Sequence, residues 1–254
     1  MLQKVIDDFR SVSLEEMGKV KLMNRVDTKF VTTIDQLEQL LMLAQGSYAI
    51  QKIEGKQVMP YTTLYYDTDD CHMFAEHHRG RKNRQKIRVR RYESSGICFL
   101  EVKRKNNKGR TDKKRMQVNV RMPDLDMYIY RTFLLQKSRY GSRKLIPQLS
   151  NSFNRITLVN NAMTERLTID LNLRFYNEQT NIKTDMGPLV IIEVKRDGQT
   201  YSPVLDMLKQ LRIHQSGFSK YCIGMALTNP QLKHNRLKER LHYVAKLSQQ
   251  CLNN

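Results

Sequence analysis

Four short segments of the chain carry basic side chains, three of them together with an acid, at alternate positions of predicted strands. They are Arg25-Val26-Asp27-Thr28-Lys29, Lys86-Ile87-Arg88-Val89-Arg90, Glu101-Val102-Lys103 and Glu193-Val194-Lys195. Because side chains alternate across a strand, each charged set points to one face of a sheet. Like charges that converge on one space repel each other, so they require a multiply charged anion, acidic partners or water between them. The pattern is typical of a polyphosphate site.

The same pattern recurs along the chain. An isolated pair such as Arg88 and Arg90 is more typical of a solvated strand face. Basic residues flanked by apolar ones also occur in other predicted strands, and the full set is Lys29, Arg88, Arg90, Lys103, Arg155 and Arg166. These side chains therefore face either solvent together or one enclosed space together. The basic run from 103 to 115 brackets a turn signal at 106–109, so it is either a solvated hairpin tip or a gate over that space.

Two acids accompany this pattern. Glu101 and Glu193 each lie two residues before a lysine in an apolar strand. Each would be either a salt-bridge partner or a ligand of a hard divalent cation that bridges phosphate oxygens. Residues 189–192 are too apolar for a strand exposed on both faces, which favours a metal-ligand role for Glu193. For Glu101 both interpretations stay open.

The composition of the chain is strongly basic. Its 254 residues include 44 Lys+Arg and 25 Asp+Glu, a net charge of +19. This excess favours nucleic acid, nucleotides, inorganic phosphates or an anionic membrane surface as partners. No run approaches the roughly 20 apolar residues of a membrane span, and no signal peptide is recognisable. We therefore expect a cytoplasmic protein that could lie at the inner face of the membrane.

Apolar periodicity predicts a single α+β domain over residues 1–254. Alternation predicts eight strands, at 24–33, 58–68, 85–93, 97–106, 111–120, 152–160, 165–176 and 188–197. Within 166–174 apolar and polar residues alternate throughout, as in a wall with a packed outside and a wet inside. Eight such strands can close a β-barrel. Peripheral helices are predicted at 34–44, 71–78, 126–137, 203–211 and 218–227, with a helical lead-in at 1–23 and a basic C-terminal helix at 231–254.

Common nucleotide and hydrolase motifs are missing from the sequence. Gly18-Lys19 and Gly55-Lys56 lack the other residues of a P-loop, and no G-x-S-x-G, H-E-x-x-H or G-x-G-x-x-G motif occurs. Side chains would therefore have to bind a triphosphate. A third class of function, a non-catalytic module that binds polyphosphate or nucleic acid, agrees with the charge. This class is disfavoured, because the sequence shows no recognisable exposed aromatic stacking motif and no nucleic-acid fold signature.

Seven motifs together resemble the polyphosphate polymerase domain of the VTC (vacuolar transporter chaperone) family, in the triphosphate tunnel metalloenzyme superfamily. In chain order they are Arg25-x-Asp27-x-Lys29, 61–67 (YTTLYYD), 86–92 (KIRVRRY), 99–103 (FLEVK), 166–170 (RLTID), 192–195 (IEVK) and 218–221 (FSKY). The resemblance extends from about 24 to 227. It departs at Phe153-Asn154-Arg155, where the family has Tyr-x-Arg.

The resemblance implies a tunnel of eight antiparallel strands that extends inorganic polyphosphate with the γ-phosphate of ATP. Residues expected to bind phosphate or ATP are Arg25, Lys29, Arg88, Arg90, Lys103, Lys114, Arg155, Arg166, Lys195, Ser219 and Lys220. Those expected to act in catalysis are Lys29, Arg88, Arg90, Lys103 and Arg166. Glu193, or alternatively Glu101, would hold Mn²⁺ or Mg²⁺. A membrane-protein partner could export the product, and a tripolyphosphatase or nucleoside triphosphatase of the same fold is the alternative function.

Overall fold

Strands with alternating apolar residues dominate the computed structural model, which describes residues 1–18, 20, 25–198 and 200–250. The eight long strands are β2 (Arg25–Thr33), β4 (Val58–Asp67), β5 (Arg84–Tyr92), β6 (Cys98–Lys105), β7 (Thr111–Val118), β8 (Ile146–Asn160), β9 (Glu165–Asn177) and β11 (Leu189–Asp197). Three short strands are β1 (Ser11–Val12), β3 (Tyr48–Gln51) and β10 (Lys183–Asp185). The eight predicted strands are therefore present, although β8 begins at Ile146 rather than at 152.

Helices surround this sheet. They are α1 (Leu2–Asp7), α2 (Leu14–Gly18), α3 (Ile34–Ala44), α4 (His72–His78), α5 (Tyr128–Lys137), α6 (Pro203–Gln210), α7 (Lys220–Thr228) and α8 (Lys238–Gln250). The predicted lead-in helix is wrong as one element, because α1 and α2 are separated by β1; residues 19 and 21–24 lie outside the described part. The basic C-terminal helix begins at Lys238, after a 3₁₀ turn at Asn235–Leu237, instead of at 231.

The long strands form one antiparallel path in the order β2-β11-β9-β8-β4-β5-β6-β7. β10 extends the sheet beside β9, and β3 pairs with β8 and, in parallel, with β1. The predicted closed barrel is wrong: among the described residues β2 and β7, the two ends of the path, are not hydrogen-bonded to each other. Both ends are basic, with Lys29 on β2 and Lys113, Lys114 and Arg115 on β7. Strands that would oppose like charges pair poorly.

The open sheet nevertheless curls so that its inner face surrounds a common space. Lys103 on β6 lies close enough to Lys29 on β2 and Glu193 on β11 for both charges to affect its pKa. These strands are near opposite ends of the path. The inner faces of the two halves of the sheet therefore oppose each other.

Apolar side chains on the outer face of the sheet bind the helices. On β11, β9 and β8, residues such as Ile192 and Ile169 are fully buried against α1, α3 and α6. On β5 and β6, Ile87 and Leu100 are buried in a second cluster that includes Leu134 of α5. Their alternation with inward charged residues is the pattern seen in the sequence. None of the described helices is both long and apolar enough to span a membrane.

Helix α7 packs against the inner face and begins at the charged interior. Ser219 caps it, its Oγ accepting a hydrogen bond from the backbone N of Cys222 at 3.2 Å. Gly224 lies flush on the sheet, where an added Cβ would come within 2.5 Å of Leu149 Cδ2 and 2.6 Å of Phe175 Cδ1. The Tyr221 hydroxyl donates to Asp67 Oδ2 at 2.6 Å, which ties α7 to β4. The interior is thus closed on one side by a helix whose first residues are polar.

A β-bulge interrupts the predicted alternation of β9. The register with β8 shifts between Ser152 and Asn154, and Asn172 opposite this point has φ of 56°. The extra residue turns Leu173 inward, into the cluster with α7, whereas Leu171 stays in the outer core. The predicted inward direction of Arg174 is consequently wrong: it is exposed and donates from Nε to Asp185 Oδ2 at 2.7 Å.

We predict that Asn172→Val lowers the free energy of unfolding by about 1–2 kcal/mol, because a β-branched residue is strained in the left-handed region. Asn172 is exposed, so the substitution removes no core contact. Asn172→Gly is the matched control and should retain the stability of the parent chain. Urea denaturation measures both. Equal stability of the Val and Gly variants would contradict a left-handed bulge residue.

Candidate functional site

The inner face of the sheet collects basic side chains from both of its halves. They include Lys29 on β2, Lys86, Arg88 and Arg90 on β5, Lys103 on β6, Lys113 on β7, Arg155 on β8, Arg166 on β9, Lys195 on β11 and Lys220 at the start of α7. Three inward carboxylates, Glu101, Asp170 and Glu193, lie among them. The site depends on how these charges pair.

Glu101 is fully buried between two cations. Arg88 Nε and Nη2 lie 2.7 and 2.6 Å from Glu101 Oε2, and Lys113 Nζ lies 3.1 Å from Oε1. Burial raises the pKa of the Glu101 carboxyl, but Arg88, Arg90 and Lys113 together lower it to about 2. Glu101 is therefore an ionised salt-bridge partner that holds Arg88 in place.

Asp170 has the same arrangement on the other half of the sheet. Arg155 binds it through two hydrogen bonds, from Nε to Oδ1 at 2.6 Å and from Nη2 to Oδ2 at 2.8 Å, and Lys220 forms a further ion pair. Burial alone would raise the pKa of Asp170, and the two cations reverse that effect and keep it below the usual value. This pair of contacts fixes Arg155 and the first residue of α7 to β9.

Glu193 is the third inward carboxylate and also lies between two cations. Lys195 Nζ lies 2.7 Å from Glu193 Oε2, and Lys29 Nζ lies 3.5 Å from Oε1. Burial opposes its ionisation, but Lys29, Lys195 and Lys103 hold its pKa well below the usual range. Glu193 therefore offers an ionised oxygen donor that faces several cations at once.

The segment before α7 joins both halves of the sheet. Lys86 Nζ on β5 donates to Ser219 Oγ at 2.8 Å, and Lys29 Nζ on β2 donates to the carbonyl of Phe218 at 3.3 Å. Ser219 and Lys220, both predicted from the sequence, are thus in the cluster. Lys86 is not among the residues predicted to bind phosphate, although its spacing from Arg88 places it on the same face.

Three of the inward cations lack a carboxylate partner among the described residues. Arg90 Nε donates to Thr63 Oγ1 at 3.2 Å and Lys86 to Ser219, while Lys103 has no ion pair. Burial lowers the pKa of the Lys103 ammonium to about 7, with Lys29 and Arg88 adding repulsion. Burial likewise lowers the pKa of Arg90 to about 10 and that of Lys195 to about 8. Buried cations without counter-ions are unfavourable, so this space favours an anion.

Among the predicted residues whose side chains the structure describes, Lys114 points away from this cluster. Lys114 pairs with Val102 in the register of β6 and β7, so it points outward, is exposed and lies 3.6 Å from Asp112. Its neighbour Lys113 points inward instead. Arg166 on β9 is directly opposite Lys195 of β11, so it lies on the inner face, and its Nη2 donates to the Met17 carbonyl at 2.9 Å. The side chain of Arg25 lies outside the described part of the structure.

The donor set fits a divalent metal that is bound by one carboxylate together with phosphates of the substrate. No group of three or more His, Cys, Asp or Glu side chains that could hold a metal occurs among the described residues. Mg²⁺ and similar ions, however, are commonly bound by one or two carboxylates together with substrate phosphates. Glu193 supplies one such carboxylate next to the unpaired cations. Glu101 and Asp170 are poorer donors, because their side chains are only 0 and 5% exposed and each is bound by an arginine, whereas Glu193 is 16% exposed and bound by two lysines.

Fold and site together define an α+β protein whose curled antiparallel sheet encloses a paired cluster of cations and carboxylates. The VTC domain family is matched over residues 24–229, and the chain belongs to this family. No curated protein matches the chain.

Solved structures show more distant likenesses. HpAC1 from Hippeastrum, a putative adenylyl cyclase described as having a dominant triphosphatase activity, is 14% identical, with 83% of this chain and 100% of that chain covered and a TM-score of 0.49. A conserved hypothetical protein from Pyrococcus furiosus is 9% identical, with 78% and 99% covered and a TM-score of 0.45. The Pct1 RNA triphosphatase of S. pombe is 11% identical, with 92% and 88% covered and a TM-score of 0.29. These likenesses are too distant to carry a functional argument.

We predict that binding of tripolyphosphate at pH 8 is accompanied by proton uptake by the protein. At this pH the Lys103 amine, whose pKa is lowered to about 7, is mostly neutral in the free protein. A bound polyanion favours the charged form, so its pKa rises and a proton is taken up. Lys103→Gln should reduce the uptake by up to about one proton. Calorimetry in buffers of different ionisation enthalpy measures it, and equal uptake in both proteins would contradict the assignment.

Proposed function

We propose that this chain is a metal-dependent phosphotransferase that extends inorganic polyphosphate with the γ-phosphate of ATP in the basic interior of its sheet. The single observation that carries the proposal is the set of buried Arg90 and half-buried Lys86 and Lys103, inward cations without a carboxylate partner among the described residues. Membership of the VTC domain family agrees with it. A triphosphate would supply the missing negative charge.

Binding of the triphosphate follows from the chemistry of these side chains. Arg90 and Arg155 present planar guanidinium groups that can each grip two phosphate oxygens. Lys86, Lys103 and Lys220 add point charges from three different elements. All of these side chains except that of Lys103 are already held in place by Thr63, Asp170 or Ser219, so little conformational order has to be gained when the substrate binds. This preorganisation is what electrostatic catalysis requires.

In the transfer step the terminal oxygen of a polyphosphate chain attacks the γ-phosphorus of ATP. The bond between the γ-phosphorus and the β–γ bridging oxygen breaks, and ADP leaves with the electron pair and the charge. Arg88, Arg90 and Lys103 would stabilise the charge on the transferring group, as phosphoryl transfer requires positioning and charge neutralisation above all. A Mn²⁺ or Mg²⁺ ion bound by Glu193 would supply further charge neutralisation at the phosphate oxygens.

Hydrolysis is the second candidate function. In the described part of the chain β2 and β7 are not paired, so this part does not enclose the interior with a continuous hydrogen-bonded wall. Water that enters there could replace the polyphosphate chain as the nucleophile, and the chain would then be a tripolyphosphatase or nucleoside triphosphatase. The same cations would bind the substrate in both reactions.

Incubation with ATP and Mn²⁺ distinguishes these functions. ADP together with polymer supports the polymerase, whereas ADP or pyrophosphate with free phosphate and no polymer supports the hydrolase. Binding of tripolyphosphate with neither product would indicate a non-catalytic module. Absence of both binding and turnover would overturn the proposed site altogether.

We predict that Arg90→Gln lowers the kcat/KM for ATP by about 10- to 150-fold, the loss expected for one charge-assisted contact of roughly 1.5–3 kcal/mol. Arg90 gives a clearer test than Arg88, because removing Arg88 would also deprive buried Glu101 of a partner. Exposed Arg174→Gln is the control and should leave turnover unchanged. Turnover by the Arg90 variant within about twofold of the parent, a change of about 0.4 kcal/mol, would rule out this contact.

We predict that Glu193→Gln abolishes Mn²⁺-dependent turnover while tripolyphosphate binding without metal is retained or tightened. The substitution keeps the shape of the side chain and removes the charge that both binds the metal and repels phosphate. Titration with Mn²⁺ at fixed ATP gives the metal dependence, and calorimetry without metal gives the binding. If the variant instead keeps its turnover and its metal dependence, Glu193 serves only as the partner of Lys29 and Lys195.

A further inference from the structure

Aromatic rings form one wall of the charged interior, beyond the arginines of β5 and β8. Tyr61 and Phe153 are stacked with their centroids 5.4 Å apart. Tyr92 meets Tyr61 edge-on at 5.0 Å, and Phe99 lies 5.9 Å from Tyr92. The four residues come from β4, β5, β6 and β8 and all belong to the inner face.

This wall is only partly covered. Tyr61, Tyr92 and Phe99 are half-buried, unlike Phe153, and the Tyr92 hydroxyl has no hydrogen-bond partner in the described residues. The guanidinium carbon of Arg115, an exposed residue of β7, lies 4.4 Å from the Phe99 centroid. Rings that served only as packing would be buried. These rings and the guanidinium plane beside them remain accessible.

Phosphate binding does not explain this aromatic wall, because the negative face of an aromatic ring does not attract an anion. A flat, uncharged group does fit it. Bases stack on aromatic rings and on arginine planes, and each such contact is worth about 1–3 kcal/mol.

The aromatic wall lies beside Arg90 and Arg155, the two arginines proposed to bind phosphate. The guanidinium carbon of Arg90 is 5.8 Å from the Tyr61 centroid, and that of Arg155 is 5.3 Å from the same ring. Tyr92 follows Arg90 by two residues on the same face of β5, a separation of about 6.6 Å along a strand. A ribose joined to phosphates held by Arg90 would therefore bring its base to Tyr92.

We propose that Tyr92, Phe99 and Arg115 form a stacking platform for the base of a nucleoside triphosphate. This inference rests on the proposed function and deepens it, because it assigns the residues that bind the base of the nucleotide donor. The platform presents rings and a guanidinium plane rather than a set of amides matched to one base. Stacking of this kind tolerates different bases, so ATP and GTP should bind within about threefold of each other.

The test compares the affinities of ATP and tripolyphosphate in the presence of Mn²⁺. Tyr92→Leu removes the ring and keeps apolar volume. We expect its Kd for ATP to rise about 5- to 150-fold, from the stacking contribution, with the Kd for tripolyphosphate unchanged within about twofold. Tyr92→Phe keeps the ring and should bind ATP as the parent does. Tyr128→Leu, which alters an exposed tyrosine of α5 far from the site, is the matched control.

Each outcome bears on one of the two proposals. Equal weakening of ATP and tripolyphosphate by Tyr92→Leu would overturn the platform and make the ring a structural wall, as would unchanged ATP affinity. Failure of the parent chain to bind tripolyphosphate would instead overturn the proposed function. Should Tyr92→Leu fail to fold, Arg115→Gln, an exposed substitution, gives the same comparison: a selective loss of ATP affinity supports the platform, and its absence overturns it.

Discussion

Repulsion between like charges in a confined space is the constraint on which this structure depends. Two unit charges 4 Å apart interact with about 4 kcal/mol at an effective dielectric constant of 20. Several such pairs would exceed the usual stability of a domain, about 5–15 kcal/mol. The fold meets this constraint by placing Glu101, Asp170 and Glu193 each between two cations. The inward cations that have no carboxylate partner among the described residues have lowered pKa values. An incoming polyanion would relieve the repulsion between them.

The same charges also connect parts of the sheet that share no backbone hydrogen bonds. Glu101 joins β5 to β7 across β6, because Arg88 and Lys113 bind its two oxygens. The residues before α7 contact Lys29 near one end of the strand path and Lys86 in its other half. Polar contacts across the interior therefore substitute for backbone pairing between β2 and β7, which the described residues do not form. A ligand that displaced them would loosen one set of links while forming another.

Much of this arrangement follows from the sequence, for local reasons. Alternation of apolar and charged residues fixes which side chains share a face, and it correctly gathers Lys29, Arg88, Arg90, Lys103 and Glu193. The register between strands is harder to obtain, because it depends on turn geometry. One step along β7 separates outward Lys114 from inward Lys113, and the bulge at Asn172 reverses the direction of Arg174. Closure of the barrel depends on contacts between residues far apart in the chain, on which local pattern carries no information.

Gly224 shows how a residue without a side chain can set the chemistry of a distant charge. Helix α7 rests on Leu149 and Phe175 at this position, with no room for a Cβ. The helix is therefore a spacer of fixed depth, and Lys220 one turn earlier extends only as far inward as that depth allows. Any side chain at 224 would withdraw Lys220 from Asp170 and Ser219 from Lys86 together, leaving one carboxylate and one ammonium each short of a partner. The electrostatic balance of the interior is thus adjusted by the thickness of an apolar contact that carries no charge.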